Sequence, residues 1–174
     1  MPSRRSFVFG LACTAIATSV AGAAPAAAAA AADEDVGFMR MAIDEARQAD
    51  FPFGAVIVRN GEVIARGRNL GRSNGDPTAH GEMVAIRRAL AEHGRTALRG
   101  TTLYTSGEPC AMCMGAIIWC RFGRLVFAAS IAQLATKIDQ IMISSEEIAR
   151  NAPFVPIAIT GGVLADEAMA LFGK

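Results

Sequence analysis

The sequence has no marked excess of either charge, little histidine, and no long apolar run free of small polar residues. Its 174 residues carry seventeen Lys and Arg against sixteen Asp and Glu, a formal net charge of +1. A surface that neutralises phosphates needs a basic stripe. Here Arg59, Arg66, Arg68 and Arg72 are scattered and read as a solvated strand-and-loop face, so nucleic acid is not an expected partner. The apolar run from Phe7 to Val20 is short and diluted by Thr, Ser and Gly, whereas a membrane span needs ~20 apolar residues. No stable membrane association is expected once the leader described next is removed. No internal repeat or linker interrupts residues 33–174, whose length suits one compact domain with its own core. Histidine occurs only at His80 and His93, and cysteine at Cys13, Cys110, Cys113 and Cys120.

The N-terminus reads as an export signal. Ser3-Arg4-Arg5-Ser6-Phe7 precedes the uncharged run, and an alanine-rich tract follows to Ala32. A charged start, an apolar middle and small residues before a cut describe a secretory leader. Paired arginines followed by Phe point to the twin-arginine route. Cys13 could suggest a lipoprotein, but Gly10-Leu11-Ala12 is a poor lead-in. Residues 1–32 are therefore expected to be the leader, cleaved between Ala24 and Ala32, and residues 33–174 the mature domain. The product would be periplasmic, or cytoplasmic if the leader is not functional. Without Arg4 and Arg5, fifteen basic residues face sixteen acids, a net −1.

Within 33–174, Val36 to Ala49 places Phe38, Met41, Ala42, Ala46 and Ala49 at helical spacing, as in a packing helix. Phe53–Arg59 and Glu62–Arg68 are β-rich runs joined by Asn60-Gly61, a type I′ hairpin signal. Asn69 to Pro77 reads as an irregular, exposed loop. A helix then carries Met83, Ile86 and Leu90 on one face, with Asp76 or Thr78 as its cap and Gly94 as its stop. A strand over Thr101–Thr105 and a Ser106-Gly107 turn lead into a helix from Cys110 to Arg121, then a strand over Arg124–Ala129. Gln133 to Ile143 is ambiguous. Ser144–Arg150 reads as a helix, Pro156–Thr160 as a short strand, and Leu164–Phe172 as the last helix. Alternating strands and helices argue for an α/β sandwich.

Two segments carry chemistry. In Glu108-Pro109-Cys110-Ala111-Met112-Cys113 the proline suits a helix start, and the two thiols share a face of the first turn. There the positive end of the helix dipole favours thiolates, which bind zinc. A lone Cys-x-x-Cys could equally be a redox pair or half of a structural site. His80, at a second helix start, supplies a third donor, and three protein ligands leave a zinc corner open for water. Zinc would bring that water's pKa towards ~7. Glu82, two residues after His80, is badly placed as a fourth ligand and well placed to shuttle the water's proton. Cys120 lies ~10 Å further along the helix than Cys113, too far for the same metal, and reads as a core or semi-buried thiol. His93 near a helix C-terminus reads as capping. Glu108 reads as a cap or turn residue.

His80-Gly81-Glu82 followed by Pro109-Cys110-Ala111-Met112-Cys113 resembles the zinc nucleobase deaminases of the cytidine deaminase superfamily. Pro52-Phe53-Gly54-Ala55-Val56-Ile57-Val58, Asp76-Pro77-Thr78-Ala79-His80 and Gly115-Ala116-Ile117-Ile118-Trp119 make the bacterial guanine deaminases the most similar branch. The resemblance covers about Val36 to Ile148. It implies a three-layer α/β/α sandwich on a mixed five-stranded sheet, one zinc per chain, a small nucleobase as substrate, and a homodimer with pocket residues shared across its interface. It further implies that Asn69, Phe53, Gly81, Trp119 and Asp139 contact or line the base site. Two departures bear on the substrate: Gly81 stands where alanine is more usual, and the C-terminus lacks a tyrosine-bearing tail.

The reaction expected is hydrolytic deamination, most simply guanine to xanthine plus ammonia, with cytosine or another aminoheterocycle next and tRNA adenosine after that. Two other readings are a Cys-x-x-Cys oxidoreductase and a catalytically idle zinc-stabilised binding protein.

Overall fold

The computed structural model of the chain describes residues 24–173. The paired arginines and apolar run of the expected leader lie outside the described residues. Among those described, no helix is long and apolar enough to cross a membrane.

The first helix, α1, spans Ala24–Arg47, so it takes in the part of the alanine tract where cleavage was expected. It is followed by β1 (Gly54–Arg59), β2 (Glu62–Arg68), a single-turn α2 (Gly71–Asn74) and α3 (Gly81–His93). Next come β3 (Thr102–Gly107), α4 (Ala111–Trp119), β4 (Arg124–Ala129) and the short α5 (Ile131–Leu134). The chain closes with α6 (Ser145–Arg150), β5 (Ala158–Thr160), α7 (Ala165–Met169) and a 3-10 turn at Ala170–Phe172. The hairpin forms as the Asn-Gly signal requires, with φ of 54° at Asn60 and 79° at Gly61. Two expectations need correction. The 69–77 segment is not wholly irregular or exposed, since it contains α2 and begins with a buried Asn69. The Ser106-Gly107 turn is instead the end of β3, whose Gly107 pairs with Ala129.

The five strands form one mixed sheet in the order β2-β1-β3-β4-β5. β1 runs antiparallel to β2 and β3, while β3–β4 and β4–β5 are parallel. Side chains alternate across this sheet as strand geometry demands. Ala55, Ile57, Leu103, Leu125 and Phe127 pack on one face with Ala85, Ile86 and Ala89 of α3 and Met114, Ile117 and Ile118 of α4. Val56, Val58, Tyr104, Val126 and Ala128 pack on the other with Met39, Ala42 and Ile43 of α1 and Ala168 of α7. The result is the three-layer α/β/α sandwich with a mixed five-stranded sheet.

Two glycines bring helices directly onto strand backbone. A side chain at Gly54 would collide with the Ala42 carbonyl and the Ala46 amide of α1. At Gly67 it would collide with the Gly81 carbonyl and the Ala85 amide of α3. A partly buried ion pair ties the layers at the far end of the sheet. Arg124 donates to both Asp35 oxygens at 2.8 and 2.7 Å, and the Tyr104 hydroxyl donates to Asp35 at 2.8 Å. Burial and that carboxylate push the Tyr104 phenol above its ordinary range.

Replacing Gly67 with alanine forces α3 off β2. The variant is expected to lose ~1–3 kcal/mol of stability, the usual cost of overpacking. Chemical denaturation checks this, and a midpoint equal to wild type would contradict the packing described.

Candidate metal centre and active site

Parallel strands β3 and β4 end beside the N-termini of α3 and α4, the edge of an open α/β sheet where ligands bind. His80 and Cys110 are the N-cap residues of those two helices and share one backbone geometry. Their dihedral angles are φ −64°, ψ 157° and φ −63°, ψ 167°. Each carbonyl accepts the first bond of its helix, from Val84 and Met114 respectively, at 2.9 Å. The expected side-chain cap of α3 does not form. Asp76 instead accepts from the Thr78 amide and hydroxyl, and the imidazole is left free to face the thiols.

Cys113, buried one turn into α4, completes the group. Both sulfurs lie 3.6 Å from His80 Nδ1. A tetrahedral zinc bonded to sulfur at ~2.3 Å and nitrogen at ~2.0–2.1 Å places the two donors ~3.6 Å apart, so the residues present fit that ion. Among the described residues, His80, Cys110 and Cys113 form the group of metal donors that converges within 4.8 Å. A hydrogen bond from the Cys113 thiol, helped by the His80 ring, draws the Cys110 thiol down to about 4, while Cys113 is pushed up. The arrangement thus favours Cys110 as thiolate, the form in which a cysteine binds metal.

Glu82, in the first turn of α3, is 4 % exposed. Burial pushes its carboxyl up to about 7, which makes it a proton carrier near neutrality. The pocket above these groups is lined by Phe53, His80, Glu82, Glu108, Cys110 and Gln140. The Phe53 ring lies against Gly107, where a side chain would leave it no room. Gly81 lies close to β1, since a Cβ there would stand 3.0 Å from the Phe53 carbonyl oxygen.

The chain matches the cytidine and deoxycytidylate deaminase zinc-binding region over residues 32–129. The chain belongs to that family. It is a zinc-dependent hydrolase acting on C–N bonds. It is 42% identical over 114 residues to a guanine deaminase of Bacillus subtilis, covering 63% of this chain and 73% of the relative. It is 38% identical to a tRNA-specific adenosine deaminase of Buchnera aphidicola, over 82% of this chain and 88% of that one. A solved guanine deaminase from Nitrosomonas europaea superposes with a TM-score of 0.70 at 26% identity, over 79% of this chain and 82% of the other.

The remaining candidates in this deaminase divide. Phe53 lines the pocket. Asn69 sits beside it, with its amide donating to the Phe53 carbonyl at 2.9 Å and its side-chain oxygen accepting from Gly71 at 3.0 Å. Trp119 stands away from the pocket of its own chain. It ends α4, ~14 Å along the axis from Cys110, so one chain cannot bring it to its own pocket. It is 77% exposed and rests on Phe154 instead. Asp139 is exposed, and its neighbour Gln140 lines the pocket. The loop after α5 is irregular, and a one-residue shift in register exchanges the two. Cys120 is half-buried at the end of α4, as expected. His93 reaches the Ile64 carbonyl at 3.1 Å on β2 instead of capping its own helix.

Cys113→Ala is expected to lower zinc content from one per chain to well below half after dialysis, with the helical circular-dichroism signal retained. Full zinc occupancy in that variant, by elemental analysis, would contradict the donor set.

Proposed function

We propose that this deaminase acts on a free nucleobase, with guanine to xanthine plus ammonia as its leading reaction. The observation that carries the reading is the buried Glu82 carboxyl beside three metal donors, on the floor of a pocket walled by Phe53. When bound, zinc supplies a Lewis acid that makes water at its open corner acidic. Glu82 takes a proton from the attacking water and delivers it to the ring nitrogen next to the amino-bearing carbon. A second proton carried by the same carboxyl goes to the departing amine, so water and the base leave as an oxo-base and ammonia. Phe53 offers a flat apolar face to the ring. We assign Asn69 to the base as well, through its side-chain amide.

A free base suits the surface better than tRNA does. Several basic side chains near the site have protein partners: Arg68 meets Gln48 and Glu45, and Arg87 meets Asp76. Residues 33–174 carry one net negative charge by the count above, so no overall basic excess draws in a polyanion. The similarity to tRNA-specific adenosine deaminases makes the anticodon hairpin the comparison to run.

We also propose a homodimer, in which Trp119 reaches a base site only across the interface. Met112, Trp119 and Ile141 to Ile143 support it as exposed apolar groups. Finally, we propose export by the twin-arginine route. That route carries folded proteins, so zinc loaded beforehand would keep Cys110 and Cys113 from pairing as a disulfide. A zinc-free, disulfide-bonded form recovered from the periplasm would contradict this order of events.

Ammonia release from guanine, cytosine, adenine, their nucleosides, triazine analogues and a tRNA anticodon hairpin tests the substrate. Guanine is expected to turn over at a rate independent of salt, and activity on the hairpin alone would overturn the reading. Glu82→Gln is expected to reduce kcat by ~10²–10⁴-fold, the usual contribution of a proton carrier, with zinc retained. Wild-type turnover in that variant would leave the chain as a zinc-stabilised binding protein.

A further inference from the structure

Glu108 follows β3 directly, precedes Pro109 and Cys110, and borders the pocket, yet both its carboxylate oxygens are taken up by backbone amides. Its side chain is 6 % exposed. One oxygen accepts from the Ile131 amide at 2.8 Å, the other from the Ser145 amide at 2.7 Å. These amides open α5 and α6, so a single anion satisfies one free N–H at each of two helix starts. The distances lie in the range of charge-assisted bonds.

Between the two pinned amides runs the segment that brings Gln140 to the pocket wall. After α5 its backbone bonds are local: Lys137 and Ile138 donate to Leu134, and Ile143 donates to Ile141. Among the described residues, positions 139–144 make no backbone bond to the sheet. Within one chain Ile141 and Met142 are exposed at 55% and 62%, and they belong to the face proposed above for the dimer, so inside the chain they anchor nothing. Little besides the two ends and the packing of Ile138 therefore fixes where the loop lies.

We propose that Glu108 is a positioning residue that fastens both ends of segment 131–145, so that Gln140 stands in the pocket wall and contacts the base. The carboxamide offers a donor and an acceptor, which suits the edge of an aminoheterocycle. This assignment rests on the deaminase reading of the pocket. It makes base recognition depend on an acid whose two oxygens are both taken up by backbone amides.

The test uses the full-length mature, zinc-loaded enzyme and the variants Glu108→Gln, Gln140→Ala and their double. Glutamine keeps one acceptor and turns an N–H₂ towards the other amide, so one pin is lost. In Glu108→Gln, amide hydrogen exchange over 131–145 is expected to quicken at least about tenfold, with β3 and β4 unchanged and zinc still one per chain. KM for guanine is expected to rise about tenfold in either single variant, with kcat within about threefold. Since Glu108 acts through Gln140, the double variant should be no more than about threefold worse than Glu108→Gln alone. Unchanged exchange at Ile131 and Ser145, or single effects that multiply in the double, would overturn the proposal. Zinc loss that accounts for the activity change would do the same. If Glu108→Gln does not fold, Gln140→Ala decides, and a KM within twofold of wild type overturns it. Absence of guanine turnover by wild type would sink the substrate reading alone, because the exchange measurement involves no substrate.

Discussion

The site depends on how closely α3 can approach the sheet. Two sulfurs and an imidazole nitrogen must come within a few ångströms of one another from separate helix starts, a tolerance of tenths of an ångström. Side-chain packing between helix and strand does not by itself give such a tolerance. The contact at Gly67 does, because α3 backbone rests on β2 backbone with no side chain between them. Met114, Ile117 and Ile118 hold α4 on the same face of the sheet as Ala85, Ile86 and Ala89 of α3. The two N-caps, His80 and Cys110, then emerge with matched dihedral angles at one edge. Metal geometry is set by backbone packing some distance from the metal.

That arrangement also accounts for the buried acid. Glu82 sits where the N-terminus of α3 offers a favourable dipole, yet burial outweighs that and lifts its carboxyl to about 7. A more exposed carboxylate at the same position would stay ionised and hold a proton poorly. The layer that supplies the ligands thereby supplies the low-dielectric setting in which a carboxyl can carry protons near neutrality.

Much of this was legible beforehand because the residues concerned are bound to local rules. The Asn60-Gly61 turn needs left-handed backbone, Gly94 ends a helix with φ of 80°, and Ser144 caps α6 by accepting from the Glu147 amide at 3.1 Å. The zinc set was legible because His80, Cys110 and Cys113 occur at helix starts in a spacing that few other arrangements use. Trp119 is exposed on its own chain, and a resemblance assigns a residue to a pocket without saying which chain's pocket it lines. Asp139 is exposed and its neighbour Gln140 lines the pocket, a difference the sequence could not show because positions 139–144 lack a periodic pattern to fix their register. The two amides that Glu108 accepts are twenty-three and thirty-seven residues downstream, and no local signal links residues that far apart. The sequence shows Glu108 only as a cap or turn residue.

The division of labour within the site follows from which parts are rigid. Zinc donors and Glu82 sit on helices packed to the sheet through backbone and core, so they can be shared by enzymes that deaminate different bases. Part of the pocket wall, at Gln140, comes from the loop after β4, whose positions 139–144 make no backbone bond to the sheet. Substrate choice can therefore change by altering that loop without disturbing the chemistry beneath it. The coupling between the two parts runs through the short stretch Glu108-Pro109-Cys110. There the residue that pins the loop and the residue that binds the metal are separated by one proline with a fixed φ. A shift of the β3 end would move both together, which keeps the base edge in register with the donors even though the intervening loop is irregular.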